Sequence, residues 1–268
     1  MESKSTETAS HSFIQSVQEA LDRHLHAVGI FLDLSKAYDV INHNRLLDKL
    51  DSYGIGGSVN NWFQSYLTNR TQFVEIPQMN RNNYMQHRFQ SSSRVTSYCI
   101  PQGSILGPLL FLTYINDLPL YIQGAKLILY ADDTNLLVVN KNEALQTKLS
   151  LVMKQLENWF LKNNLFINTT KTAAVSSHLC RLKPPFKPCI LLRNTEVKYR
   201  PEVKFLGMRI TDNLSWHAHI CCLSHSLSKT FFIIKSVKST LSNHVLWNNY
   251  FAYFHLRRRY GIILCGGD

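Results

Sequence analysis

Long apolar runs are scarce in this 268-residue chain, and acidic charge is scarce toward its end. The most apolar stretch, Ile105 to Ile122, is interrupted by Gly107, Pro108, Asn116, Asp117 and Pro119. A membrane span needs roughly 20 apolar residues in succession, so no membrane partner is expected. The N-terminus is polar and mixed in charge, without the apolar core of a signal peptide. The six cysteines follow no regular framework. Without a secretory signal, that argues against a disulfide scaffold and for a reducing, intracellular setting, nucleus or cytoplasm. No internal repeat is visible, which excludes a solenoid.

What is present is enough for a real core. Hydrophobic residues make up 45% and charged residues 18%, a globular balance and not a disordered one. The formal charge of +11 is unevenly spread. Residues 1–170 hold 14 Lys+Arg against 14 Asp+Glu, whereas residues 171–268 hold 15 against 4. The whole surplus therefore lies in the second stretch, the footprint expected for a polyanionic partner.

Lys126 to Val139, KLILYADDTNLLVV, is the most informative segment. Leu127–Tyr130 and Leu136–Val139 read as two strands, with Asp132 and Asp133 at the turn between them. Hairpin turns favour glycine, and none is present, so turn chemistry alone does not account for the pair. Adjacent carboxylates repel unless a cation sits between them, and Mg²⁺ is the hard ion that takes oxygen ligands. Taken alone, a solvated acidic turn remains the ordinary reading.

Earlier in the chain, Phe13, Val17, Leu21 and Leu25 recur every four residues and predict a helix over 13–25. Ala27 to Leu34 is a continuous apolar run that suits a buried strand, and Asp33 near its end is the anomaly. Asn42 or Asn44 is expected to cap a helix ending at Gly54, and Ser58 a second one with Val59, Trp62, Phe63, Tyr66 and Leu67 on its apolar side. Thr71–Ile76 reads as a strand, Pro77–Gln90 as an exposed loop and Arg94–Ile100 as another strand. Pro101-Gln102-Gly103-Ser104 then offers a strand-to-helix turn where backbone can approach a flat ligand, before an apolar helix over 104–118. A long helix follows the acidic hairpin, with Leu145, Leu149, Val152, Leu156, Trp159 and Phe160 inward. Phe166-Ile167 and Thr172–Ser176 read as short strands, 187–210 as three strands ending in Val203–Ile210, and the rest as two helices. His217, Cys221 and His225 share a helix face, but without a fourth ligand they read as surface residues, not zinc ligands.

Three carboxylates on neighbouring strands can hold two Mg²⁺ roughly 3.5–4 Å apart, a device for phosphoryl transfer that needs no nucleophile and base. In order, FLDLSKAYD, IPQGSILGPLLF, YADD, INTTKT and KFLGMRITDNLSW resemble motifs A, B, C and D and the primer-grip region of LINE-type (non-long-terminal-repeat) retrotransposon reverse transcriptases. The resemblance implies an α+β fold: a polymerase palm, a ferredoxin-like antiparallel sheet backed by helices, with partial fingers and a truncated helical thumb. It implies a fingers remnant over 1–26, a palm over 27–210 with a fingers-side insertion at about 54–100, and a partial thumb over 211–268.

Residue by residue, the resemblance makes Asp33, Asp132 and Asp133 the catalytic metal ligands, helped by the main-chain carbonyl of Leu34. The cofactor would be two Mg²⁺, with Mn²⁺ as a substitute. Tyr38 would be the steric gate against a 2′-hydroxyl, Gln102 and Gly103 would contact the incoming nucleotide and template, and Lys171 would stand near the phosphates. Phe205, Leu206 and Gly207 would hold the primer end. The partners implied are an RNA template, a DNA primer and deoxynucleoside triphosphates. KSTETA at 4–9 resembles the end of a fingers motif, so the chain is expected to be a piece of a longer element protein, and an inactive remnant that at most binds nucleic acid is the alternative.

Overall fold

The computed structural model describes residues 5–79, 86–96, 98–101, 103–178 and 187–265. Its elements, in chain order, begin with α1 (Thr6–Asp22), β1 (His26–Leu32), β2 (Leu34–Ser35), α2 (His43–Ser52) and α3 (Gly57–Leu67). Next come β3 (Thr71–Gln72), β4 (Glu75–Met79), β5 (Gln86–Gln90), β6 (Arg94–Val95), α4 (Leu106–Ile115) and α5 (Leu118–Tyr121). The acidic hairpin is β7 (Lys126–Tyr130) and β8 (Asp133–Asn140), followed by α6 (Asn142–Lys162), β9 (Phe166–Ile167) and β10 (Ala173–Ser177). Short strands β11 (Leu191–Leu192), β12 (Thr195–Glu196), β13 (Lys198–Tyr199), β14 (Glu202–Phe205) and β15 (Met208–Thr211) lead into helices. These are α7 (His217–Ser236), α8 (Asn243–Asn249), a π-helical turn (Tyr250–His255), α9 (Leu256–Arg259) and α10 (Ile262–Cys265).

Two compact units are present: residues 1–33, 122–155 and 168–268, and residues 34–121 with 156–167.

The first unit is built on a five-stranded sheet ordered β13-β10-β1-β8-β7. β1 pairs antiparallel with both β10 and β8, and β8 with β7, while β13 adds to the edge in parallel. The sheet is therefore mixed at one edge and not wholly antiparallel as expected. Central β1 is buried along Ala27–Leu32, which explains its unbroken apolar run. Phe13, Ile14, Val17 and Leu21 of α1 share a core with Phe31, Ile128, Leu137, Val175, Phe205 and Met208. Rings of Phe13, Phe31 and Phe205 stand 5.2–5.4 Å apart, tilted or edge-on, a favourable aromatic geometry. Gly29 makes this possible, because a Cβ there would lie 2.8 Å from Phe13 Cζ.

The second unit is tied by a half-buried cation. Lys49 Nζ lies 2.7 Å from Asp117 Oδ1 and 2.6 Å from the Tyr114 carbonyl, above the rings of Tyr114 and Trp159. Tyr114, itself buried, donates its hydroxyl to the Asn163 carbonyl at 2.7 Å. Burial lowers the Lys49 pKa despite this pairing.

Several local expectations are corrected. α1 starts at Thr6 because Ser5 caps it, its side chain accepting from Thr8 N. Asn42, not Asn44, caps α2, accepting from Arg45 N. Gly56, not Ser58, precedes α3, and Val59 and Trp62 point outward at 52% and 53% exposure. The expected loop over Pro77–Gln90 gives way to strand at its described ends, where β4 and β5 pair antiparallel with Glu75 opposite Gln90 and Met79 opposite Gln86. Val203–Ile210 is two strands, since Leu206 and Gly207 both take positive φ (45° and 86°) and fold it into a tight turn.

Candidate active site

Strand register assembles the acidic site. β1 and β8 run antiparallel with Leu32 opposite Thr134, so the next residue on each strand, Asp33 and Asp133, arrives at the same end of the sheet. β7 pairs Tyr130 with Asp133, which leaves Ala131 and Asp132 as a two-residue turn. Asp133 therefore opens β8, and only Asp132 lies in the turn proper. Ala131 adopts φ 51°, the left-handed region in which a glycine would be at ease. The missing glycine noted in the sequence is thus a strained alanine beside two aspartates.

The electrostatics bear the mark of crowded like charge. The Asp133 carboxyl is pushed above the usual carboxylate range, first by partial desolvation, then by the charges of Asp132 and Asp33. Asp133 is still reached by solvent, so the crowding is local. Lys171 Nζ stands 3.8 Å from Asp33 Oδ2, with 68% and 42% of the two side chains accessible. A pair so exposed contributes no more than about 1 kcal/mol and leaves the lysine able to exchange partners.

Asn168 holds that lysine in place, and sequence reasoning missed it. Its backbone N–H donates to the Asp33 carbonyl at 2.8 Å. Its side-chain oxygen accepts from Thr170 N, Thr170 Oγ1 and Lys171 N at 3.1, 2.7 and 3.3 Å. Its carbonyl accepts from Thr172 N and Oγ1. One asparagine therefore ties the Lys171 loop to the end of β1. The available signal was the Asn-Thr-Thr-Lys run, whose first residue is a strong Asx-turn former.

A hard divalent cation fits this donor set in chemistry and charge: three carboxylates share one sheet end, and the charges of Asp132 and Asp33 add to the desolvation that raises the Asp133 carboxyl. Among the described residues no group of three or more His, Cys, Asp or Glu side chains is arranged to hold a metal ion. Like charges resist converging on one point. The His217–Cys221 pair, 3.5 Å apart on α7, is not part of any such group.

Residues 2–210 match the family model described as Reverse transcriptase (RNA-dependent DNA polymerase). The chain belongs to the reverse transcriptase family. It is 29% identical over 228 residues to the "Probable RNA-directed DNA polymerase from transposon BS" of Drosophila melanogaster, covering 78% of this chain and 23% of that protein. It is 27% identical over 222 residues to the "RNA-directed DNA polymerase from mobile element jockey" of the same fly, covering 78% and 22%. Against the "Retrovirus-related Pol polyprotein from type-1 retrotransposable element R1" of Bradysia coprophila it is 24% identical over 208 residues, covering 74% and 19%. These relatives bear out the resemblance to LINE-type elements, and the chain spans less than a quarter of their length. Among solved structures, telomerase from Candida tropicalis in complex with a TWJ fragment of telomeric RNA aligns with TM-score 0.53 at 13% identity, over 95% of this chain and 41% of that one. That likeness shows a shared fold.

The remaining family positions are distributed as follows. Leu34 lies on β2, paired with Ile167 on β9. Tyr38 is half-buried, its ring 4.7 Å from that of Phe111 and its carbonyl accepting from Ile100 N at 2.9 Å. Gln102 lies outside the described residues. Gly103 takes φ 82° in open space, and Ser104 Oγ donates to the Pro101 carbonyl at 2.8 Å and accepts from Gly107 N, bracing the start of α4. Phe205 needs a correction: at 2% exposure its ring belongs to the core, so it has no face for a primer. Leu206 and Gly207 form the hairpin turn, and Tyr260 donates its hydroxyl to the Leu206 carbonyl. Arg257 is held by Ser226 and Thr230, while Arg258 and Arg259 are exposed. No helix among the described residues is long and apolar enough to cross a membrane.

Proposed function

We propose that this chain carries the nucleotidyl-transfer core of an RNA-directed DNA polymerase from a retrotransposon. Its substrates would be an RNA template, a DNA primer and deoxynucleoside triphosphates. The observation that carries the reading is the register that brings Asp33, Asp132 and Asp133 to one sheet end within a reverse transcriptase domain. Its relatives' names, each an RNA-directed DNA polymerase or a retrotransposon polyprotein, support the reaction class.

In this reading the three carboxylates hold Mg²⁺, or Mn²⁺ in its place. Bound divalent ions supply Lewis-acid stabilisation of the attacking and leaving oxygens. The chain's own groups position the reactants. Lys171, loosely paired with Asp33, shifts to a triphosphate oxygen as the more highly charged partner arrives. Tyr38, its ring braced by Phe111, blocks a 2′-hydroxyl, which favours deoxynucleotides over ribonucleotides. The Leu206-Gly207 turn offers backbone groups to the primer end, Gly103 leaves room for a nucleotide, and the basic 171–268 stretch neutralises duplex phosphates.

Primer extension on an RNA template with Mg²⁺ tests this, with Asp132→Asn as control. Product from the wild type and none from the variant is the expected result. Template binding with no product from the wild type would leave a nucleic-acid-binding remnant.

A further inference from the structure

Trp62, Tyr66 and Arg70 recur every four residues along and just beyond α3. Their side chains form a ladder whose middle ring, Tyr66, is half-buried. The Trp62 and Tyr66 rings are stacked, 5.6 Å between centroids and 10° between planes. The Arg70 guanidinium lies 5.5 Å from the Tyr66 ring centre. Trp62 is 53% exposed and Arg70 is exposed, while the helix anchors itself through buried Leu67.

Arg70 is also fixed by its surroundings. Its carbonyl accepts from Thr96 N and Thr96 Oγ1 at 2.8 and 3.1 Å. It lines a cleft of about 530 Å³ with Gln72, Thr96, Asp39 and Pro101, so the ladder ends at a cluster of polar groups. The opposite flank of α3 differs in kind: Asn60, Asn61 and Gln64 line a second cleft with Asp48 and Asp51. The ladder side of the helix is aromatic and cationic with Asp39 alone among acids in its cleft, and the other side is amide and acidic.

We propose that the Trp62–Tyr66–Arg70 ladder and its cleft seat an unpaired nucleic-acid strand. A base stacks on the outer face of Trp62, which Tyr66 backs, a phosphate meets the guanidinium, and Gln72 and Thr96 offer hydrogen bonds at the cleft. Every base has a π-face, so such a platform accepts any sequence. A π-stack ending in a cation matches a polyanion carrying flat bases. The proposal rests on the nucleic-acid reading above and extends it to a second, strand-selective surface.

The test compares a fluorescein-labelled oligouridylate with a labelled blunt RNA–DNA duplex, by anisotropy on the full chain. Trp62→Ala/Tyr66→Ala is expected to bind the single strand about tenfold more weakly and the duplex as before. Trp62→Phe/Tyr66→Phe, which keeps both faces, is expected to restore most of the affinity. Unchanged single-strand binding by the alanine variant, with an unchanged melting temperature, overturns the proposal. So does equal loss for both probes, or failure of the phenylalanine variant to rescue. A wild type that makes no DNA yet holds the single strand through the ladder would sink the polymerase reading and leave this one standing.

Discussion

Ala131 is the sharpest point of leverage on the site. It sits at φ 51° in the turn that carries Asp132, where left-handed backbone costs an L-residue roughly 1–2 kcal/mol. Glycine escapes that cost but loses about 0.5–1 kcal/mol more chain entropy on folding. The alanine methyl is half-buried, which takes back part of the gain. Ala131→Gly should therefore stabilise the chain by about 0.5 kcal/mol, with a Tm rise of about 1–2 °C. Ala131→Val should move it the other way, because a β-branched residue tolerates positive φ least. The assay is a thermal melt by circular dichroism on both variants, paired with primer extension. Strain beside functional groups restrains them, so the glycine variant should be more stable and slower, its Asp132 turn freed to wander. A Tm that falls for glycine, or that is equal for glycine and valine, would refute the strain argument.

The remaining predictions concern charge, a loop tie and a second strained residue. Because the Asp133 carboxyl titrates high, the folded chain binds its proton more tightly than the unfolded chain does, and stability is lost as pH rises through that titration. Asp133→Asn should therefore match the wild type at acid pH and exceed it in chelator at neutral pH, by about 0.5 kcal/mol for so exposed a group; Mg²⁺ should then raise the wild-type Tm more than the variant's. Asn168→Ala should cost about 1–2 kcal/mol by urea denaturation and slow extension, with Asn168→Asp recovering both, since an aspartate accepts the same bonds. Cys99 takes φ 92°, so Cys99→Gly should raise Tm; a fall would show that its side chain contributes more than the backbone strain removes. If about five phosphates are contacted, log K for duplex against log[salt] should slope near −3.5 to −4.5, and a flat response would count against a basic grip in residues 171–268.

Much of the fold could be read where one periodicity ruled a segment. The α6 stripe is an example: Leu145, Leu149, Val152, Leu156, Trp159 and Phe160 are all buried as the 3.6-residue pattern requires. β1 was equally plain, because a strand covered on both faces has no polar alternation to blur it. What failed was local and had tertiary causes. Val59 and Trp62 look like a core face of α3, but Leu67 alone is buried there. The β4–β5 hairpin was hidden because an exposed two-stranded ribbon has no inward face to impose alternation on Glu75–Met79 and Gln86–Gln90.

At the site, the acids were legible and their scaffolding was not. Asp33, Asp132 and Asp133 stand out because each charge interrupts or abuts an apolar strand, and that is a matter of composition. Ala131 and Asn168 act through the backbone. An alanine gives no sign that it will be held left-handed, and an asparagine among threonines looks like an ordinary loop until its bonds to Lys171 and Asp33 are seen. Phe205 shows the converse error: a motif position suggested a contact surface, yet the ring packs against those of Phe13 and Phe31 in the core. The division has a physical root. Charge at a strand end is costly unless something uses it, so it announces itself, whereas the residues that aim the charge are chosen for φ and for hydrogen bonds that any polar loop could contain. Mutating the aimers while leaving the acids intact is therefore the cleanest way to separate a positioned active site from a merely acidic turn.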